Sequence, residues 1–161
     1  YPAEELPPDF HSLRLYRSKK GILVRDGHPI VEAFEKKGVM TWELLKRWPV
    51  VSVNVGMKDG ANVEGRRVGV TVPYFLTVPY VVSRTNFTFE GPLITLRRFM
   101  KDTQFNFRIL PMPEESPPFE PRLVWHHCTH TDPFLQWVRG LVVDAARSEA
   151  RLLGVIDPQE D

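Results

Sequence analysis

Ten residues, VWHHCTHTDP at 124–133, hold three of the five histidines, the only cysteine and an aspartate. Imidazole nitrogen, thiolate and carboxylate are the ligand types that zinc and copper prefer, so this stretch is the densest candidate for metal chemistry. In an extended strand alternate side chains share a face. His126, Cys128 and His130 then form one row, with His127 and Thr129 on the opposite side. Neighbours in such a row lie roughly 6.5 Å apart along the strand. They fan out, whereas tetrahedral zinc needs three or four ligands at about 2 Å. Leu123 and Trp125 claim the core face, no C-x-x-C pair supplies further ligands, and Thr131 and Asp132 suit the cap of a following helix. The expectation is a strand end running into a helix cap. His126, Cys128 and His130 are named as the metal candidates, with no bound metal and no cofactor expected.

Catalytic signatures are absent from the sequence. Cys128 beside His126 or His130 is the one nucleophile–base pairing, and residues two apart on a strand point in parallel rather than at each other. There is no G-x-S-x-G, phosphate-binding loop, G-x-G-x-x-G or H-E-x-x-H, and a non-enzyme is expected. In PLITLRRFM, read as a strand, Arg98 shares a face with Ile94, Leu96 and Met100, where a charge is costly unless paired. Arg98, with Trp137, is therefore the candidate lining of an apolar ligand cavity; the alternative pairs Arg98 with an acid or lets it reach solvent. TVPYFLTVPY sets Tyr74 and Tyr80 on one face of an extended segment. Pro73 and Pro79 cannot donate to a sheet ladder and push that segment to an edge. Arg66-Arg67, Lys19-Lys20 and Lys36-Lys37 read as solvated doublets offset by acids. With a net charge of +1, nucleic acid is not an expected partner outside a local patch. Asn86-Phe87-Thr88 matches the glycosylation pattern.

The elements that must position these residues follow from periodicity and punctuation. The opening YPAEELPPDF is proline-rich and aperiodic, which predicts an extended arm over 1–20 and leaves 21–154 as a single α+β domain before an acidic tail, 155–161. GILVR (21–25) predicts a strand. Pro29 opens a helix that Gly38 ends, and TWELLKRW predicts a second short helix capped by Thr41. From Val50 the period changes to two. VVSVNVG and RRVGVTV predict strands joined as a hairpin through a loop containing Asp59-Gly60. Further strands are predicted at 78–85, 92–100, 104–110 and 121–127. Phe134, Trp137, Val138, Leu141, Val142, Ala145 and Leu152 form one stripe of a roughly twenty-residue final helix. Its apolar face predicts packing on the sheet, with Trp137 buried.

The predicted whole is a mostly antiparallel sheet of six to seven strands with two short helices near the N-terminus and one long helix at the end. This order resembles the helix-grip arrangement of START and Bet v1-like domains, which implies a curved sheet wrapping the last helix. Two functions are expected. The first is a non-catalytic structural or accessory subunit of a larger protein assembly, contacting other subunits through Tyr1, Leu6, Phe10, Tyr74 and Tyr80. The alternative is a helix-grip domain binding a lipid or other small hydrophobic ligand between sheet and final helix. No apolar run reaches membrane-spanning length. One cysteine, a first residue other than Met and more arginine than lysine suggest an intracellular, organellar and specifically mitochondrial protein.

Overall fold

The computed structural model describes residues 6–53, 65–114 and 117–155, and among them the chain forms seven strands and five α-helices. It divides into two units, one of residues Tyr1–Lys19 with Pro117–Asp161 and the other of Lys20–Ser116. The class is α+β with mostly antiparallel pairing, but the strands do not share one sheet. They fall into a two-stranded, a three-stranded and a second two-stranded sheet.

The larger unit is organised around β2 (Lys20–Arg25), which pairs antiparallel on one side with β5 (Phe89–Pro92) and on the other with β6 (Phe107–Leu110). Ile22, Leu23 and Val24 are all fully buried, as expected of a strand covered on both faces. Alternation sorts them. Leu23 joins Val51, Val78, Val82, Phe89, Leu96 and Phe99, while Ile22 and Val24 join Ile30, Met40, Leu44 and Leu45. Of these, Ile30 comes from α1 (Pro29–Lys37), Leu44 and Leu45 from α2 (Trp42–Leu45), and Met40 from the link between the two helices. His28 caps α1 by accepting from Ile30 N through Nδ1 at 3.0 Å, and Gly38 closes it at φ 71°. Thr41 Oγ1 accepts from Leu44 N at 3.2 Å to start α2.

Three sequence expectations need correction here. β3 (Val50–Val53) and β4 (Val68–Val72) pair in parallel, with Val51 opposite Val70 and Val53 opposite Val72. They are not a hairpin; a parallel pair needs a long connection. The proposed Asp59-Gly60 turn lies outside the described residues. Residues 78–84 and 93–102 are the helices α3 (Val78–Arg84) and α4 (Leu93–Asp102), not strands. In VPYVVSR the β-branched residues suggest a strand, but Pro79 occupies a first-turn helix position and Val78 and Val82, four apart, are fully buried. In α4 the buried Leu96 and Phe99 stand three apart. Helical spacing therefore decides which side chains reach the core.

In the other unit β1 (Phe10–Arg14) pairs antiparallel with β7 (Arg122–His126), setting Phe10 opposite His126 and His11 opposite Trp125. Residues 10–14, within the expected extended arm, thus form a ladder with their own chain. Helix α5 (Pro133–Leu152) begins with Asp132 Oδ1 accepting from Leu135 N at 2.9 Å, and Gly154 follows it at φ 63°. Its apolar stripe was expected on a sheet, yet Phe134, Trp137, Leu141 and Leu152 are exposed, Trp137 at 61%. Five-residue strands span about 17 Å, and a twenty-residue helix about 30 Å. A two-stranded ribbon is too small to cover that face, and no curved sheet of the helix-grip kind wraps α5 among the described residues. No helix among them is long and apolar enough to cross a membrane.

Candidate functional site

The densest polar constellation forms where β1, β7 and α5 meet. β7 stops at His126, and the chain turns through a short 3-10 segment, His127–Thr129, so the extended row of His126, Cys128 and His130 does not persist. His126 Nδ1 accepts from Cys128 N at 3.2 Å, and its ring stands edge-on to Phe10 with centroids 5.1 Å apart. His130 Nδ1 accepts from the Trp125 indole N–H at 3.1 Å. Cys128 is exposed and free. Among the described residues no three His, Cys, Asp or Glu side chains gather to hold a metal ion.

What gathers instead is a stack that the local sequence could not show. The β1–β7 register brings His11 beside the turn after β7. The His11 ring lies 4.1 Å from that of His130 at 19°, and its Nε2 shares a 2.9 Å hydrogen bond with His127 Nδ1. The Trp125 and His130 rings are almost parallel, at 3°. The Arg139 guanidinium of α5 lies 4.9 Å from the Trp125 ring centroid, a cation–π distance. Arg139 also donates to the carbonyls of Thr129 at 3.1 Å and His130 at 2.8 Å. Partial desolvation holds the His11 imidazole below its ordinary value, and the positive forms of His130 and His127, with Arg139, push it the same way.

The remaining candidates are dispersed. Tyr1 lies outside the described residues, Leu6 is half-buried, and Phe10 is a ladder residue of β1. Tyr74 is 70% exposed just before the 3-10 turn Phe75–Thr77. Tyr80 is exposed on α3 and meets Phe105 edge-on at 5.4 Å. They belong to different elements rather than to one extended edge. Arg98 does not share the face of Leu96: it lies on the outer side of α4 and pairs with Asp102 at 2.8 Å. The exposed Trp137 belongs to the other unit. The Asn86 amide oxygen accepts from Arg25 Nη2 at 2.7 Å. Arg66, expected on a solvated face, is buried and donates to the Thr88 hydroxyl. His28 is almost fully buried, and burial is the main cause holding its imidazole below the ordinary value.

No protein-family model matches the chain. It is 29% identical over 156 residues to the HTH-type transcriptional regulator SyrM 1 of Sinorhizobium fredii, a match covering 88% of this chain and 43% of that protein. The chain thus spans less than half the length of this curated relative. Among solved structures it is similar to the regulatory domain of MexT, a transcriptional activator of Pseudomonas aeruginosa. The TM-score is 0.69 at 21% identity, over 88% of this chain and 68% of that one. HinK, a LysR family transcriptional regulator of the same organism, superposes with a TM-score of 0.63 at 12% identity, over 92% of this chain and 50% of that one. These findings overturn the structural-subunit function expected from the sequence: the proteins it is similar to are transcriptional regulators, not structural subunits of an assembly. They overturn the mitochondrial assignment too, since these relatives are bacterial. The chain has the fold seen in the MexT regulatory domain.

Proposed function

We propose that the chain is the signal-sensing part of a bacterial transcriptional regulator similar to SyrM 1 and MexT. It acts in the cytoplasm by binding a small-molecule effector, and it carries out no catalysis. The observation that carries this reading is the MexT match, since the 88% of the chain that superposes does so on a domain described as regulatory. The sequence similarity to SyrM 1 runs over the same share of the chain. A fold hosts many functions, so the reading rests on the two matches together. The near-neutral net charge of +1 supports a sensing rather than a DNA-gripping role for these residues, because phosphate contacts demand a concentrated basic surface. DNA contact then belongs to a longer regulator as a whole.

A chimeric regulator tests this. Residues 6–153 replace the matched part of SyrM 1, and a reporter gene reads its output across a panel of small organic effectors. The expected result is an output that depends on at least one effector. The isolated chain should leave promoter DNA unretarded in a gel. Sequence-specific DNA binding by the isolated chain would overturn the assignment.

A further inference from the structure

The contacts that join the histidines of the β1–β7 unit do not survive protonation of all the rings. His130 Nδ1 accepts from the Trp125 indole, which can only donate. A proton on that nitrogen sets two N–H groups against each other and removes the bond. His11 Nε2 and His127 Nδ1 share one hydrogen bond at 2.9 Å. One nitrogen must keep a lone pair, so charging both rings breaks it. His11 and His130 are stacked at 4.1 Å between centroids, and two imidazolium rings at that distance repel. The fixed charge of Arg139 over Trp125 adds to the repulsion.

From β1 comes His11, from the turn after β7 come His127 and His130, and from α5 comes Arg139. His126 is turned to Phe10 and to Cys128 N. Arg122 donates to Ser12. Asp9 supplies its carbonyl oxygen to His127 N at 2.7 Å. Asp132 is engaged at the start of α5. None of the three imidazoles has a carboxylate partner among the described residues to offset an added proton.

The stack also spans the attachments of its unit. His11 belongs to β1, Trp125 to β7, and the His130 carbonyl receives α5 through Arg139 and Gln136. We propose that His11, His127 and His130 form an acid-released clasp that fastens β1 and the turn after β7 to the first half of α5, and that it loosens when the solution turns mildly acidic. The lowered affinity of His11 for protons agrees with this sense. A group that binds protons more weakly in the folded than in the unfolded chain stabilises fully above its ordinary range. That contribution is lost as pH falls below this range.

The test is an NMR titration of the full chain from about pH 7.5 to about pH 5, the window in which histidine charges. It follows the histidine ring signals and the hydrogen-exchange protection of the β1 and β7 amides. The expected result is that His11 titrates below the unperturbed histidine midpoint, and that β1–β7 protection falls several-fold across the window. In a His130→Gln variant the His11 midpoint should move up. In a His11→Phe variant, which keeps a stacked ring without a proton site, the loss of protection should shrink. A His11 midpoint at or above the unperturbed value overturns the clasp. So does β1–β7 protection that stays constant in the wild type, a measurement that requires no variant to fold.

Discussion

Truncating Leu96 to alanine, set against truncating Arg98, separates the helical account of residues 93–102 from the strand account. In α4 Leu96 is fully buried, within the cluster formed by Leu23, Val78, Val82, Phe89 and Phe99. Leu96→Ala removes three buried carbons, worth about 2.5 kcal/mol at roughly 0.8 kcal/mol each. The cavity left behind raises the expected loss to about 3 to 5 kcal/mol. Arg98 is half-exposed and pairs one turn on with an equally exposed Asp102. An exposed pair of that spacing contributes about 0.3 to 0.5 kcal/mol, so Arg98→Ala should cost less than about 1 kcal/mol. Urea unfolding of the full chain by far-UV circular dichroism, with hydrogen exchange of the Leu23 and Val24 amides to localise the loss, measures both. A loss under about 1 kcal/mol for Leu96→Ala, or a loss as large for Arg98→Ala as for a residue sharing the Leu96 face, would refute a helix over residues 93–102.

Three further outcomes follow from the same structure. Gly69→Ala should destabilise the larger unit by about 1 to 3 kcal/mol through overpacking, because a Cβ there would sit 2.8 Å from the Phe87 ring and 2.9 Å from Pro49 Cβ; thermal melting of the variant checks it. Trp137→Ala should cost less than about 1 kcal/mol, since the ring is exposed in this chain, and a loss of 3 kcal/mol in denaturant titration would show it buried. His28 binds protons more weakly in the fold than in the unfolded chain, chiefly because it is buried, with Arg25 acting the same way and a backbone hydrogen bond at Asn86 opposing. Its stabilisation is therefore complete above the ordinary histidine range and declines as pH falls below it. Protection of the Ile30 and Val31 amides should show that decline in the wild type and much less of it in His28→Asn, where the side chain can still cap the helix.

Residues whose chemistry acts locally were readable from the sequence. Pro29 and Gly38 bracket α1, Thr41 starts α2, and Asp132 with Pro133 opens α5. The apolar run at 21–25 falls within β2. Properties that depend on distant partners were not readable. Val-rich alternation at 50–53 and 68–72 is the same for a parallel as for an antiparallel pair, so the pairing of Val51 with Val70 leaves no trace in either segment. VPYVVSR carries the β-branched composition of a strand, but Pro79 sits in the first turn of a helix and Val78 and Val82, four apart, are buried against other elements. The prolines of the opening residues hid the strand FHSLR beside them. That strand carries His11 to His127, 116 positions away, and so completes a stack of which the segment 124–133 holds only part. The stripe on α5 was read correctly as apolar, but periodicity reports the face and not what covers it.

We propose that this chain senses a small molecule on behalf of a transcriptional regulator. Thermal melting of the purified 161-residue chain against a library of small organic effectors tests it most directly, with calorimetry to confirm saturable binding. A ligand that binds the folded chain alone must raise its melting temperature in proportion to ligand excess over the dissociation constant. At least one compound is expected to give such a concentration-dependent rise, with no turnover of that compound. Conversion of a bound compound to product, or melting that moves only with specific DNA, would contradict it.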